Sequence, residues 1–437
     1  MKRLLTLILA SLLMLGGCVE NHFAVAEADY PNAVPYPEER GDWSELAYQA
    51  WKDSRTELRK KQYVGYAEGM DAFVESAAKA ILGSEKTENI LYSPLNLYLT
   101  LSMLAEITEG ESRTQVLDVL DLDDMEELRR KVPALWTGNY CADGTMRSVF
   151  ANSVWLNESA DIRTETAQTL AETYYASVYQ GDVTDEDYTQ AFRDWLNRNT
   201  GGLLENAVEG QAFSEETMLT LASTVDFAAE WMSGFSADAT ESGNFHAPSG
   251  DVSCDFMYKE TDEHYYWGEN FAAIRLNFNG ANGNMWFILP DEDVTAADLL
   301  DDEEVSALYQ GGVTNSEYLE VHMKIPKFDI SADLELSECL QTLGITAVFD
   351  PKTADFSPFV SGMDGELWVN QANHAVRLAI DEEGCRAAAF TTISVSMAPP
   401  PPDEIVEITF DRPFLFVVTG NDNVTLFMGI VNNPAAN

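Results

Sequence analysis

Positive charge is scarce in this chain. Its 437 residues carry 26 Lys and Arg against 73 Asp and Glu, a net charge of -47. So negative a field excludes nucleic acid and anionic lipid headgroups as partners, because both are polyanions. It keeps an exported protein soluble, and it steers basic partners toward it. Histidine is scarce too: the five are His22, His246, His264, His322 and His374, and none is spaced from another like a paired metal ligand. The sequence therefore names no metal and no cofactor. Catalytic signatures are missing as well, with no G-x-S-x-G, H-E-x-x-H, C-x-x-C, Walker loop or G-x-G-x-x-G, which argues against an enzyme. No internal repeat period is evident.

What is present begins with an address. Lys2 and Arg3 precede an apolar run from Leu4 to Leu15. That run is shorter than the about 20 residues a membrane helix needs and suits the core of a signal peptide. It ends in Leu15-Gly16-Gly17-Cys18, which looks like a bacterial lipobox, with small residues fitting a peptidase cleft and Cys18 as the acylated mature N-terminus. A length prior of about 150 residues per domain suggests two or three domains. The expected organisation is a signal peptide over 1–17, a lipid-anchored, Pro-punctuated tether over 18–41, an extra N-terminal helix over 42–63, and a body over 64–437. This places the protein on the bacterial cell envelope, exported and facing outward.

Trp43, Leu46, Ala47, Ala50, Trp51 and Ser54 recur at helical spacing, and Arg59, Lys60 and Lys61 close that helix where cations suit its dipole. A second helix follows through Met70, Phe73, Val74, Ala77 and Ile81. The helical part of 89–110 is apolar on nearly every side and belongs inside a large fold. Downstream, strands dominate. "IRLNF", a loop with two Asn-Gly pairs, and "MWFILP" predict a hairpin. "YLEVHMKIPKF" alternates, and "EIVEITFDRPFLFVVTG" with "VTLFMGIVNNP" predicts a closing pair. The class is α+β with antiparallel sheets.

The segment 381–402, "DEEGCRAAAFTTISVSMAPPPP", is neither amphipathic helix nor ordinary loop. Counted by twos, Cys385, Ala387, Ala389, Thr391 and Ile393 form one face with no charge and no large aromatic, while Arg386 and Phe390 fall on the other. A strand with one face against a core needs such a small, uncharged set. Gly384 supplies a hinge, and the prolines from 399 end any ladder. From Gly384 to Ala398 the chain would span about 50 Å at about 3.3 Å per residue.

"NILYSPLNLYLTLSMLAEITEGESRTQVLDVL", "FILPDED", "PKFDISADLELSECLQTLGITAVFDPKTADFSPF", "HAVRLAIDEEG" and "FDRPFLFVVTGNDNVTLFMGIVNNP" together resemble the serpins in wording and in order, over roughly 64–434. The resemblance implies one domain with the serpin fold: about nine helices, three β-sheets and an exposed reactive-centre loop, here about 382–404. A protease cleaves that loop, which inserts as a new central strand and carries the acylated protease with it. By the same resemblance Glu382, Glu383, Gly384, Cys385, Arg386, Ala387, Ala388 and Ala389 form the loop hinge. Ser93, Asn96, Ser223 and His374 mark the region that parts when the sheet opens. Asn is usual in the family where Ser223 stands, which puts part of that network in doubt.

By the same resemblance, counting sixteen residues on from Glu382 as the family does gives Ala398 before the scissile bond, but Pro399 would follow it; Met397-Ala398 avoids that defect, with Ser396 as the next choice. Such residues suit elastase-, subtilisin- or chymotrypsin-like pockets, and no cation for a trypsin pocket occurs between Arg386 and Arg412. The implied partner is a serine protease, or a papain-like cysteine protease, met by a monomer. Cys385 and Arg386 depart from the family's usual Thr or Ser and acid, and Phe390 is bulkier than the usual Ala. Two alternatives therefore stay open: a non-inhibitory serpin-fold binding lipoprotein, or a plain protease substrate. Cys141, Cys254, Cys339 and Cys385 show no tight disulfide spacing and read as free thiols, with Cys385 open to oxidation in an exposed loop.

Overall fold

The computed structural model describes residues 22–31, 34–36, 45–83, 87–144, 146–200, 208–279, 283–312, 314–362, 367–369, 372–385 and 404–436. Among these lie nine α-helices and three sheets. The helix predicted at 42–63 runs Glu45–Arg59 and packs against helix Met125–Asn139. The next predicted helix is Met70–Leu82, its apolar stripe buried through Met70, Phe73, Val74, Ala77, Ala78, Ile81 and Leu82. Helix Pro94–Ile107 is apolar on all sides because it is enclosed on all sides, with only Thr100 of its fourteen residues outside the buried set. Ser93 caps it by accepting from the Asn96 N–H at 3.3 Å, and Pro94 at the first helical position gives up a donor the helix does not need.

The largest ladder of apolar strands explains the position of that helix. In spatial order it runs Ile405–Thr409, Asn315–Pro326, Gly250–Trp267, Phe271–Asn277, Asn284–Pro290, Phe414–Thr419, Thr425–Val431 and Ile90–Tyr92, with Glu241–Ala247 paired to Gly250–Trp267. The predicted hairpin is in register from Phe271 opposite Pro290 to Asn277 opposite Asn284. Phe414–Thr419 and Thr425–Val431 are buried at every position. A strand covered on both faces has no polar side to alternate with, so both read as continuous apolar runs.

A second sheet, of eight strands, has the order Ala24–Ala26, Ala176–Gly181, Met146–Asn157, Leu219–Glu230, Gly384–Cys385, Asn373–Ile380 and Phe328–Glu335, with Cys141–Ala142 paired to Met146–Asn157. Asp161–Ile162 and Val360–Ser361 make a small third sheet.

The N-terminal residues add a strand to the edge of the eight-stranded sheet. The stretch read as a tether is, where described, part of the folded body. Ala24 pairs with Tyr179 and Ala26 with Val178. The Ala28 N–H donates to Ser177 Oγ at 3.1 Å. Tyr30 stacks on Trp136 with centroids 5.6 Å apart, and Phe23 meets Tyr188 edge-on at 4.9 Å. Aromatic rings spaced among prolines carry enough apolar area to hold a short segment down without any periodicity.

Candidate functional site

The site is the junction of Leu219–Glu230, Gly384–Cys385 and Asn373–Ile380. The chain leaves Asn373–Ile380 through a tight turn in which Asp381 Oδ1 accepts from the N–H groups of Glu383 at 2.9 Å and Gly384 at 3.2 Å. It then re-enters the sheet. Cys385 pairs antiparallel with Ile380 on one side and with Ala229 on the other, while Gly384 pairs with Glu230. Among the described residues no ladder joins Leu219–Glu230 to Asn373–Ile380 directly, so the sheet is continuous there only through this two-residue strand. Its antiparallel pairing with both neighbours makes those neighbours parallel to each other.

Gly384 is required by space. A Cβ on it would lie 2.1 Å from the Ala229 carbonyl oxygen, so any side chain would wedge the strands apart. Cys385 is fully buried, with Sγ 3.8 Å from Met285 Sδ. Burial pushes its thiol well above the ordinary cysteine range. The expected exposed, oxidisable Cys385 is therefore corrected: pairing on both sides turns its side chain into the core, where a thiol is inert. Cys141 is buried, Cys254 and Cys339 are half-buried, and all four thiols are free.

The turn is clasped from the flank. The Trp231 N–H donates to the Glu383 carbonyl and the Phe235 N–H to the Glu382 carbonyl, both at 2.9 Å, while Trp231 Nε1 donates to the Asp381 carbonyl at 3.0 Å. The Glu382 carboxylate accepts from Thr240 Oγ1 at 2.7 Å and pairs with Lys327 Nζ at 2.9 Å. Burial alone would raise this carboxyl; the Lys327 and Thr240 hydrogen bonds outweigh it and hold the group below its usual range. Trp231, Thr240 and Lys327 carried no role in the sequence. Lys327 alone had a usable signal, as one of few cations in a chain whose hinge begins Asp381-Glu382-Glu383.

Below the junction, the four residues expected at the sheet-opening region converge on the first turn of Pro94–Ile107. The Ser93 N–H donates to His374 Nε2 at 3.0 Å, and Ser93 Oγ donates to the Leu426 carbonyl at 2.6 Å. Burial pushes the His374 imidazole down to about 4, so it is neutral at physiological pH and free to accept at Nε2. On the other side of the gap, Asn96 Nδ2 donates to the Ser223 carbonyl at 3.4 Å, and Ser223 Oγ lies against Asn96 Oδ1 and, at 2.6 Å, Asn152 Oδ1. One hydroxyl proton serves only one of those two oxygens at a time. Asn152 of the neighbouring strand joins Ser223 to this cluster.

A single helical turn thus bonds to strands on both sides of the gap. Admitting a further strand separates Leu219–Glu230 from Asn373–Ile380 by about one strand spacing, roughly 4.8 Å. A hydrogen bond does not survive such a change. The Ser93–His374 link, the Asn96–Ser223 link, or both must exchange partners.

Arg386, Ala387, Ala388, Ala389, Phe390, Ser396, Met397, Ala398 and Cys18 lie outside the described residues.

Comparison with known proteins agrees with this architecture. An uncharacterized serpin-like protein of Thermococcus kodakarensis is 25% identical over 454 residues, covering 99% of this chain and 99% of that protein. Plasminogen activator inhibitor 1 of Bos taurus is 27% identical over 376 residues, covering 81% of this chain and 89% of that protein. Among solved structures, native tengpin, a thermophilic serpin, superposes with a TM-score of 0.73 at 22% identity, covering 93% of this chain and 97% of that one. Human thyroxine-binding globulin with thyroxine superposes with a TM-score of 0.72 at 21% identity, covering 87% of this chain and 100% of that one. The family model for serpins (serine protease inhibitors) matches residues 68–434, and the chain belongs to that family.

Proposed function

We propose that this protein is a suicide-substrate inhibitor of an elastase-, subtilisin- or chymotrypsin-like serine protease, held on the outer face of a bacterial envelope by a lipid on Cys18. It is an inhibitor and not an enzyme: the protease supplies the chemistry. The protease serine attacks the Met397 carbonyl, an ester forms, and the amine of Ala398 leaves. Loop insertion then carries the ester-linked protease away before water can cleave the bond.

The observation that carries this reading is the seating of Gly384–Cys385 between Leu219–Glu230 and Asn373–Ile380. The first rung of an inserted strand already exists, with Cys385 facing inward. Side chains alternate along a strand, so continuation in this register turns Ala387, Ala389, Thr391 and Ile393 into the core and leaves Arg386 and Phe390 on the opposite face.

Two assays test the proposal. Incubation with a panel of serine proteases and papain should give a boiling-stable covalent band with an elastase- or subtilisin-like enzyme, and a large rise in melting temperature on loop cleavage. Cleavage near Met397 with no complex at any ratio would leave a substrate instead. Fractionation of cells carrying Cys18→Ala should move the protein from membrane to soluble fraction, since each buried acyl methylene contributes about 0.8 kcal/mol. Unchanged fractionation would remove the lipid anchor from the proposal.

A further inference from the structure

The outer face of the sheet beside the strand that receives the chain after the loop carries a cluster of side chains that loop insertion does not use. Ile405–Thr409 lies parallel to Asn315–Pro326, which is antiparallel to Gly250–Trp267. Register sets Glu260, His322 and Glu407 side by side across the three strands, with Asp262 opposite Glu320 in the adjacent row. Val321 and Met323 point into the core, so Glu320 and His322 share the outer face.

We propose that Glu260, Glu320 and His322, with Glu407 facing them from the edge strand, form a binding site for a divalent transition-metal ion of the zinc type. One donor atom from each of Glu260, Glu320 and His322 lies within 4.8 Å of the others, and His322 Nε2 is 3.0 Å from Glu320 Oε1. Donors around a tetrahedral zinc, each at about 2.0 to 2.2 Å from the ion, sit about 3.4 Å apart, so small side-chain rotations complete the set.

The outer shell is in place. The Tyr258 hydroxyl donates to Glu260 Oε1 at 2.5 Å, which fixes that carboxylate and leaves its other oxygen for an ion. The Tyr258 ring also meets the His322 ring edge-on at 6.5 Å. One imidazole with carboxylates selects zinc-like ions over calcium or magnesium, which prefer oxygen alone. Without an ion, these carboxylates stand beside one another with Lys324 as the cation on the same face, its Nζ drawn over the Tyr258 ring at 5.8 Å. Like charges directly opposite destabilise a sheet, and a bound dication reverses that. The sequence showed no such site because its donors come from three strands far apart in the chain.

The ion would tie the exit strand of the loop to the two strands beside it. Titration calorimetry of the intact protein with Zn²⁺, and the visible absorption of its Co²⁺ adduct, test the site. The expected result is one ion per chain, a four- or five-coordinate Co²⁺ spectrum, a melting temperature raised by Zn²⁺, and no response to Ca²⁺. His322→Ala and Glu260→Gln should each weaken binding at least roughly tenfold, as loss of a ligand or its support does. Both are surface changes, so their melting temperatures without Zn²⁺ should stay near wild type. His246→Ala, at the exposed His246–Asp251 pair on the Glu241–Gly250 edge, should bind Zn²⁺ unchanged. Failure of Zn²⁺ to bind, or binding that survives His322→Ala, overturns the proposal.

Discussion

Ser93 and His374, 281 positions apart, are joined by a 3.0 Å hydrogen bond in which a buried backbone N–H donates to a buried neutral imidazole. Protonation of Nε2 would remove the acceptor and place an unpaired charge beside the N–H. The folded pKa of about 4 lies below the ordinary 6.5 of an unfolded histidine. Between those values the unfolded chain binds the proton more readily, so stability falls as pH drops from about 6.5 to about 4, by about 3 kcal/mol in all. His374→Gln offers an acceptor that does not titrate. Urea unfolding across this range should show a shallower acid loss in the variant, with little difference at pH 7.5. The raised imidazole of His246, hydrogen bonded to Asp251, acts in the opposite sense, so the informative quantity is the difference between the two proteins. Parallel curves would show that His374 does not titrate as its burial requires.

Lys327→Met should loosen the hinge turn. The Glu382 carboxylate is largely enclosed and would keep only Thr240 as a side-chain partner. The pair is partly open to water, so the loss is about 1 kcal/mol, or about fivefold in the population of the unseated turn. The rate at which Cys385 reacts with a thiol reagent measures that population, and an unchanged rate would show that backbone bonds from Trp231 and Phe235 hold the turn unaided.

Ala389→Arg and Ala388→Arg have identical composition and opposite parity. An inward cation at 389 would be buried without a partner and should cost several kcal/mol of the inserted state, on the order of 3 to 5. Ala388→Arg leaves its charge in solvent. Moles of inhibitor consumed per mole of protease trapped should rise sharply for the first and stay near wild type for the second. A reversed order would put Arg386 and Phe390 toward the core and favour the non-inhibitory reading.

Tyr30→Ala tests whether the N-terminal segment is part of the fold. It removes a ring stacked on Trp136 and Tyr175 and a hydroxyl donor to the Tyr175 carbonyl. Loss of a packed aromatic costs about 3 kcal/mol. Melting should fall by several degrees; no change would return residues 22–31 to the status of a tether.

The helices at 45–59 and 70–82, the enclosed helix at 94–107 and the 271–290 hairpin were legible because each writes its burial into a period: one stripe, no polar side, or alternation. The cluster of Ser93, Asn96, Ser223 and His374 was reachable only through resemblance to a family, since the four share no spacing. Asn152, Thr240 and Trp231 were not legible at all, and Lys327 only as one of few cations in an acidic chain. Their roles arise from tertiary contacts between segments 55 to 150 positions apart, which no local pattern encodes. The N-terminal strand was hidden for another reason: three residues of Ala-Val-Ala pair through backbone groups that every sequence has.

The burial of Cys385 makes the molecule its own clock. A fully enclosed thiol reacts only in the moments when its strand is out of the sheet, so the labelling rate is the intrinsic thiol rate multiplied by the fraction of time the gap stands empty. Cys141 is enclosed elsewhere and Cys254 and Cys339 are half-buried, so their labelling provides an internal reference for the rest of the fold. The fraction of time the gap stands open can therefore be read in the free protein with no protease present.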